Sequence, residues 1–494
     1  MFWLGIDVGT GGTRALVIDE DSRVRAAFTA PHQPFRMVRP LWAEQDPEDW
    51  WQATAKAVRG VLAEARIDSG EIAGIGLSGQ MHGLVVLDAS DQVIRPSLIW
   101  CDQRSQHQVD QIHQTLGLAN VVSWTANPAI TGFTLPKLLW VRDNEPDGFN
   151  RIRKVLVPKD YVRFQLTRTY AGDVSDASGT GLFDVAHRCW SQSMIDGLGL
   201  DPAILPGIVE SDQITGTVTP EAARQTGLRA GIPVVAGAGD QAASAIGNGI
   251  VEPGVASCTL GTSGVVFVHT ETPAYDPEGR VHTFCHAVAG AWHVMGVTQG
   301  AGLSLQWFRN TLASGEDYDQ LMEEAAQASP GCEGLVWLPY LMGERTPHLD
   351  AAARGGWVGL TARHRRAELL RSIIEGVAYS QKDGLDIIEG LGVRLDRVRV
   401  SGGGARSRLW RQILADVLGK TVTILESEEG SAYGAALLAQ AGTTPGVSVA
   451  ELSRRAVREV GSYAADPETR ETYHRGHARY QALYPALRDT FRSS

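Results

Sequence analysis

The stretch Gly5–Arg14 (GIDVGTGGTR) constrains the fold more than any other part of the chain. An apolar run containing Asp7 leads into a Gly/Thr-rich turn at Gly9, and a second apolar run follows, which predicts a two-stranded hairpin. Glycines let backbone N–H groups approach a phosphate closely, and Thr10 and Thr13 add hydroxyl donors. Asp7 could hold a hydrated Mg²⁺ there, or it could be an accident in a plain hairpin. We favour the first interpretation because a carboxylate in an apolar strand is costly without a function.

The size and composition exclude several classes of protein. A chain of 494 residues is too long for one core, so we expect two domains. The net charge of -11 argues against a nucleic-acid-binding surface. The five cysteines are scattered without a CxxC pair, which argues against a zinc site or a disulfide framework and indicates a reducing compartment. No secretory leader or membrane-spanning apolar run is recognisable, so we expect a cytoplasmic protein without a membrane partner.

The second half repeats the logic of the opening stretch. Residues 233–243 predict a strand, a glycine turn and a helix with Asp240 at its start, where the helix dipole favours an ionised carboxylate. Two apolar runs then flank the Gly/Thr turn at Gly261-Thr262, and Gly402–Gly404 separate another predicted strand from a helix. Two such hairpins predict a duplicated architecture that holds nucleotide phosphates between its halves.

Other polar stretches leave alternatives open. Met81-His82 follow the strand predicted at 72–78, at the end where open α/β sheets bind ligands, but His82 could equally be a satisfied structural histidine. Residues 173–179 could line a sugar pocket, although we favour a solvated turn. Asp102 and Arg104 are expected to form an ion pair rather than a catalytic unit.

Helix signals flank these candidate sites. Asp46-Pro47 predict a cap and a helix to about residue 65, and Asp466-Pro467 predict a peripheral docking helix at the C-terminal end. The helical spacing from Arg366 to Leu391 predicts an exposed helix that could pair two copies of the chain in a homodimer.

Together these features predict phosphoryl transfer. The chain has no GxxxxGK[ST] loop and no dinucleotide fingerprint. Phosphoryl transfer needs phosphate donors, a metal site and a base aimed at the acceptor hydroxyl. The turns at Gly9-Thr10 and Gly261-Thr262 can supply donors, Asp7 can hold the metal, and Asp240 can take the proton as the O–P bond forms.

These residues resemble the FGGY carbohydrate kinases, which have the actin/hexokinase-type ATPase fold. The opening Asp7-x-Gly9-Thr10, residues 132–144 (with Thr134, Lys137 and Trp140) and residues 355–375 are similar to family motifs. The resemblance implies an α/β fold of two RNase H-like domains with a catalytic cleft between them. It implies an N-terminal domain at 1–245 with the sugar site and catalytic aspartates, and an ATP-binding domain at 246–494.

The resemblance also implies roles for individual residues, with ATP and Mg²⁺ as cofactors. The catalytic residues would be Asp240 and Asp7, which would also bind the metal. The sugar would be bound by Met81, His82, Asp240 and Gln241. The nucleotide would be bound by Gly9, Thr10, Thr13, Gly261, Thr262, Gly300, Gly402, Gly403 and Gly404.

The acceptor implied by the resemblance is D-xylulose, phosphorylated at O5 to give D-xylulose 5-phosphate and ADP. Residues 40–51, 78–83, 156–161 and 340–348 are similar to family members that act on xylulose. Members that act on glycerol carry an Arg-Glu pair where this chain has Met81-His82, which argues against glycerol. Gln241 stands where some xylulose-specific members have Asn, which blurs the sugar preference slightly.

Three alternatives stay open. One is a sister kinase for another ketose or polyol, such as ribulose. The second is a nucleotide-driven binding protein related to actin or to chaperones, although Asp240 beside Gln241 argues for an acceptor site. The third is an inactive sugar sensor, against which both aspartates argue.

Overall fold

The computed structural model describes residues 1–426 and 429–492, and two large mixed sheets organise it. The strands of the first half are β1 (Phe2–Val8), β2 (Gly12–Ile18), β3 (Val24–Pro31), β4 (Arg36–Arg39), β5 (Trp42–Gln45), β6 (Ile72–Gly79), β7 (Val85–Leu87), β8 (Ser97–Leu98), β9 (Lys154–Leu156), β10 (Ala171–Asp173), β11 (Phe183–Asp184), β12 (Cys189–Trp190), β13 (Gly207–Val209), β14 (Ile214–Thr217), β15 (Pro233–Val235) and β16 (Ala238–Gly239). Its helices are α1 (Pro47–Ala65), α2 (Gln106–Leu116), α3 (Leu118–Thr125), α4 (Thr134–Asn144), α5 (Pro146–Phe149), α6 (Pro158–Thr167), α7 (Val174–Ser178), α8 (Gln192–Gly197), α9 (Pro220–Thr226) and α10 (Asp240–Gly247).

The second half is built from a second set of strands and helices. The strands are β17 (Gly254–Leu260), β18 (Gly264–Thr270), β19 (His282–Cys285), β20 (Trp292–Thr298), β21 (Val336–Leu338), β22 (Gly356–Val358), β23 (Leu395–Ser401), β24 (Thr421–Leu425) and β25 (Glu459–Tyr463). The helices are α11 (Gly302–Leu312), α12 (Tyr318–Ala325), α13 (Arg366–Gly390), α14 (Arg408–Leu418), α15 (Gly430–Thr443), α16 (Val449–Ala456) and α17 (Arg470–Arg492).

The two large sheets have the same topology. The first runs β14-β15-β6-β1-β2-β3, with an antiparallel meander β1–β2–β3, parallel pairs β1–β6 and β6–β15, and an antiparallel edge at β14. The second runs β19-β20-β18-β17-β23-β24-β25 and repeats that pattern from β20 to β25. The duplicated architecture predicted from the two hairpins is therefore confirmed, as is the α/β class.

Helices α10 and α15 join the two halves. A side chain at Gly434 of α15 would overlap the carbonyl of Ala243 in α10, so the helices cross at backbone contact. Helix α15 also packs on the first sheet, where a side chain at Gly76 of β6 would overlap the carbonyl of Ala435. We propose that the domain boundary lies at 245/246, although α10 continues across it to Gly247.

The structure confirms the helix signal at Asp46, whose side chain accepts a hydrogen bond from the backbone N–H of Glu48 at 3.0 Å as α1 begins. It also confirms the ion pair between Arg104 and Asp102, at 2.8 Å. None of the helices in the described ranges is long and apolar enough to span a membrane.

Three expectations were wrong. Residues 173–179 do not form a solvated turn, because they include the buried helix α7, and its N-cap Asp173 and its residue Asp176 face Lys159. Helix α13 is not exposed but runs through the core of the second half, so it provides no basis for a homodimer. The C-terminal helix α17 begins at Arg470 and not at Asp466-Pro467, although it docks on that same core through its buried tyrosines, as expected.

Candidate active site

Three adjacent strands of the first sheet bring the two candidate aspartates together. Asp7 near the end of β1 lies opposite Ser78 of β6, and Ser78 also lies opposite Ala238 of β16, directly before Gly239 and Asp240. The hydroxyl of Ser78 donates to Oδ1 of Asp7 at 2.8 Å. Asp7 and Asp240 are thus brought together at the carboxyl ends of neighbouring strands, although nearly the whole first half of the chain separates them in sequence.

The proximity of these carboxylates changes their ionisation. Burial, followed by the charge of Asp7, raises the pKa of Asp240 to about 7, against the opposing effect of hydrogen bonds from Gln241. Burial also raises the pKa of Asp7, against the opposing effects of Ser78 and Arg14. A carboxylate with a pKa near neutrality accepts a proton more readily than an ordinary aspartate, which suits a general base.

The raised pKa of Asp240 predicts that the Asp240→Asn variant is more stable than the wild type, by an amount that depends on pH. Because the pKa in the folded state lies above the ordinary 3.8, ionisation of Asp240 favours the unfolded chain. The destabilisation is absent below about pH 4, grows as the pH rises, and is complete above about pH 7. We expect the variant to be more stable by up to about 4 kcal/mol at pH 8 and little changed at pH 4. Urea unfolding of the nucleotide-free protein at both pH values measures this, and an equal effect at both would contradict it.

Met81 and His82, the predicted sugar-binding residues, lie beside the strand that presents Asp240. A Cβ atom placed on Gly239 would lie 2.9 Å from Cγ of Met81, so Met81 packs directly against the strand that presents Asp240. Nδ1 of His82 donates to the carbonyl of Gly179 at 2.7 Å, which leaves Nε2 as an acceptor. Burial lowers the pKa of His82 to about 3, so the ring is neutral.

Lys137 holds the loop that carries His82. Its Nζ donates to the carbonyls of His82 at 2.9 Å and Gly132 at 2.6 Å, and Thr134 donates to the His82 carbonyl at 3.2 Å. The side chain is fully buried, and burial lowers its pKa to about 7. Lys137 and Thr134 belong to the motif at 132–144 noted in the sequence, and the structure gives both a positioning role.

The first hairpin turn offers only part of its predicted donor set. Gly9 N donates to the carbonyl of Gly12 at 3.0 Å, which closes the turn. The Thr10 side chain is half-buried, and its hydroxyl accepts from the indole N–H of Trp100 at 3.0 Å. The Thr13 side chain is buried against His32, at 2.8 Å, so its hydroxyl is already engaged.

The corresponding turns of the second half lie beside one another. The carbonyl of Thr262 accepts from the backbone N–H of Ala301 at 3.0 Å, and that of Gly261 accepts from Gly302 at 2.8 Å. Gly402, with φ of 86°, packs on the end of β17, where its Cβ would lie 2.7 Å from the Leu260 carbonyl. Gly403 is exposed next to it, and Gly404 is buried against Leu260.

Gly300 has a packing role in this structure. A side chain there would overlap the carbonyl of Pro339, so glycine allows the chain to pass that loop before α11 begins. It lies next in sequence to the Ala301 amide that supports Thr262. Gly300 is therefore buried directly before the residue that holds the Thr262 turn.

The two halves meet at Asp240. The hydroxyl of Ser431, at the start of α15, donates to the Asp240 carbonyl at 3.1 Å. Just before it, Glu429 pairs with Arg14 of β2 at 2.6 Å. The start of α15 thus links the second half to both aspartates, since Arg14 acts electrostatically on Asp7.

Sequence reasoning missed the buried support behind Asp240. Lys159 of α6 is fully buried and lies 3.0 Å from Asp173 Oδ1, while Asp173 Oδ2 accepts from the Ser175 hydroxyl at 2.5 Å. The Ser175 oxygen in turn accepts from the backbone N–H of Gly239 at 3.1 Å. The signal in the sequence was Lys159 followed by three aspartates, Asp160, Asp173 and Asp176. Their closeness to Lys159 in space is not apparent from their spacing along the chain.

The chain matches known proteins over its whole length. Residues 2–247 match the N-terminal domain of the FGGY family of carbohydrate kinases, and residues 256–442 match its C-terminal domain. The chain is 40% identical to a xylulose kinase of Escherichia coli K12, covering 98% of this chain and 100% of the relative, and 36% identical to a xylulose kinase of Bacillus subtilis 168, covering 98% and 97%. A solved structure titled as a xyloylose kinase from Brucella ovis superposes with a TM-score of 0.94 at 37% identity, covering 99% of this chain and 100% of that one. On these grounds, and with two RNase H-like halves around the aspartate pair, the chain belongs to the FGGY family of carbohydrate kinases.

Proposed function

We propose that this chain is an ATP-dependent kinase that transfers the γ-phosphoryl group to O5 of D-xylulose, giving D-xylulose 5-phosphate and ADP. The observation that carries the reaction type is the pair Asp7 and Asp240, meeting at one sheet edge beside Met81 and His82. The choice of D-xylulose rests on full-length relatives that are named xylulose kinase.

In this proposal Asp240 is the general base. Its carboxylate accepts the O5 proton as O5 attacks the γ-phosphorus, and ADP departs with the electrons of the broken P–O bond. Gln241 orients Asp240 through its hydrogen bonds, and Met81 and His82 orient the sugar. The turns at Gly9-Thr10, Gly261-Thr262 and Gly402–Gly404 would donate to the nucleotide.

Asp7 and Asp240 would hold Mg²⁺ together with ATP phosphates and water. Two neighbouring carboxylates fit this ion, and Ser78 engages Oδ1 of Asp7 while Oδ2 lies on the Gly9 side of the turn. Among the described residues, no group of three or more His, Cys, Asp or Glu side chains could bind a metal unaided. That suits Mg²⁺, which keeps several waters and takes one or two carboxylates plus substrate phosphates. Bound there, the ion would neutralise charge on the transferred phosphoryl group.

Two further expectations stay proposals. All five cysteines are free, which agrees with a reducing compartment, and we propose the cytoplasm. Oligomeric state stays open, and a homodimer would need a surface other than α13.

A panel of acceptors tests the proposed substrate. ADP formation is followed with D-xylulose, ribulose and glycerol in a coupled assay, with ATP alone as the baseline. We expect kcat/KM for D-xylulose to exceed that for ribulose by about tenfold or more, because a misplaced hydroxyl leaves buried polar groups unpaired. Equal or better turnover of ribulose or glycerol would contradict the substrate. ADP formation without stimulation by any sugar would instead favour a nucleotide-driven binding protein.

A further inference from the structure

An arginine of the second half enters the sugar side of the site without a protein partner. Arg345 lies in the loop between β21 and β22, and this loop is fixed to the end of β20. Oε1 of Glu344 accepts from the backbone N–H groups of Gln299 and Arg345, both at 2.7 Å. The Thr346 oxygen accepts from the Val297 amide at 3.0 Å. The backbone of Arg345 is therefore held on both sides.

The side chain of Arg345 reaches the first half of the chain. Its Nη2 lies 3.8 Å from where a Cβ on Gly132 would be, beside the Lys137 contact that fixes the His82 loop. Its positive charge lowers the pKa of both His82 and His282, so the guanidinium lies close to these rings. Arg345 thus lies on the Gly132 side of the predicted sugar site, beside the His82 loop.

The guanidinium has no hydrogen-bond acceptor or ion-pair carboxylate within the described ranges. It is half-buried, and burial lowers its pKa against the opposing charge of Glu344. By contrast, buried Lys137 donates to two carbonyls, and buried Arg104 pairs with Asp102. Withdrawing an arginine from water without partners is costly, which is a reason to expect that a bound ligand supplies the acceptor.

The chemistry of the proposed acceptor defines what that ligand atom is. A 2-ketopentose closes its furanose ring by adding O5 to C2. O5 can therefore receive a phosphoryl group only in the open-chain form, in which C2 is a free carbonyl. A carbonyl only accepts hydrogen bonds, and a guanidinium only donates them, from a planar fork. With O5 at Asp240, the C1–C2 hydroxyketone lies at the far end of the site.

We propose that Arg345 binds the C2 carbonyl end of the open-chain ketose and thereby makes the enzyme prefer a ketose over the corresponding pentitol. This inference rests on the proposed function. A pentitol presents a hydroxyl at C2, whose proton finds no acceptor on a guanidinium and whose oxygen is no longer trigonal. Arg345 is therefore a specificity-determining residue, contributed by the second half to a site otherwise built by the first.

The test compares D-xylulose with xylitol in the wild type, Arg345→Gln, Arg345→Lys and the matched control Arg354→Gln. Arg354 lies in the same loop, is exposed, and donates to the carbonyls of Ala351 and Ala353. We expect Arg345→Gln to lower kcat/KM for D-xylulose by about 100-fold, mainly through KM, while kcat/KM for xylitol falls by less than about threefold. Arg345→Lys should lie between, and Arg354→Gln should match the wild type.

ATP binding to each variant, measured by calorimetry, shows that the variants are folded, and it should be unchanged. If Arg345→Gln retains the wild-type ratio of kcat/KM for D-xylulose over xylitol, the inference is wrong even though the proposed function stands. If the wild type itself does not phosphorylate D-xylulose, the proposed function fails and the inference with it. If Arg345→Gln loses ATP binding, the arginine is structural and the inference is wrong.

Discussion

Asp240→Asn lowers kcat with D-xylulose by about a thousandfold or more while leaving ATP affinity within a few-fold of wild type. Asparagine keeps the size of the side chain and its position at the start of α10, but it cannot accept the O5 proton. The loss should appear in kcat, because the interaction that is removed acts in the transition state. Steady-state kinetics and calorimetric titration with ATP measure the two quantities.

Asp110→Asn is the matched control for this variant. Asp110 is an exposed aspartate of α2 whose carboxylate accepts from Gln106 at 2.9 Å. It should leave kcat unchanged. Retention of more than a tenth of wild-type kcat by Asp240→Asn would remove Asp240 from the role of base.

Lys159→Met destabilises the protein by about 3–5 kcal/mol, because removal of one partner leaves buried charges uncompensated. Lys159 Nζ lies 2.7 Å from Asp160 and 3.0 Å from Asp173, and it also donates to the Ala236 carbonyl at 3.2 Å. Burial alone would lower the pKa of Lys159, but the surrounding aspartates outweigh it and the pKa is raised. The lysine is therefore charged and essential to the cluster.

Denaturant unfolding at pH 8 and pH 5 measures this loss. The loss should be smaller at pH 5, because carboxylates without their lysine take up protons more readily in the folded state. Lys56→Met, at an exposed position of α1, is the control and should change stability by less than about 0.5 kcal/mol. A loss below about 1 kcal/mol for Lys159→Met would contradict the structural role assigned to the cluster. Because Ser175 connects Asp173 to the Gly239 amide, a reduced kcat in the folded variant is also expected.

The sequence was sufficient to predict those strands, turns and helix starts that depend on neighbouring residues alone. The hairpin β1–β2 follows from two apolar runs around a glycine turn, and the start of α1 follows from Asp46-Pro47. The sequence also singled out Asp7 and Asp240, because a carboxylate in an apolar strand and one at a helix start both stand out. The structure brings these two together through the pairing of β1, β6 and β16.

The missing parts depend on contacts between distant segments. Helix α15 is rich in alanine and glycine, and only its packing on β1 and β6, several hundred residues earlier, explains why small residues are needed there. Residues 173–179 look like a solvated turn until Lys159 is placed beside them. The hydroxyl of Thr13 looked available until His32 was found against it. Residues 340–348 stood out only by resemblance, and no role for Arg345 followed from the sequence, because its position beside His82 arises only when the two halves meet.

The most direct measurement is the position of the phosphate in the product that the wild-type protein makes from D-xylulose and ATP. Phosphorus–carbon couplings in the NMR spectrum of the product identify the esterified carbon, and ADP is quantified in the same sample. We expect one equivalent of ADP for each sugar phosphate, with the phosphate on C5. A phosphate on any other carbon, or ADP formation without a sugar phosphate, would contradict it.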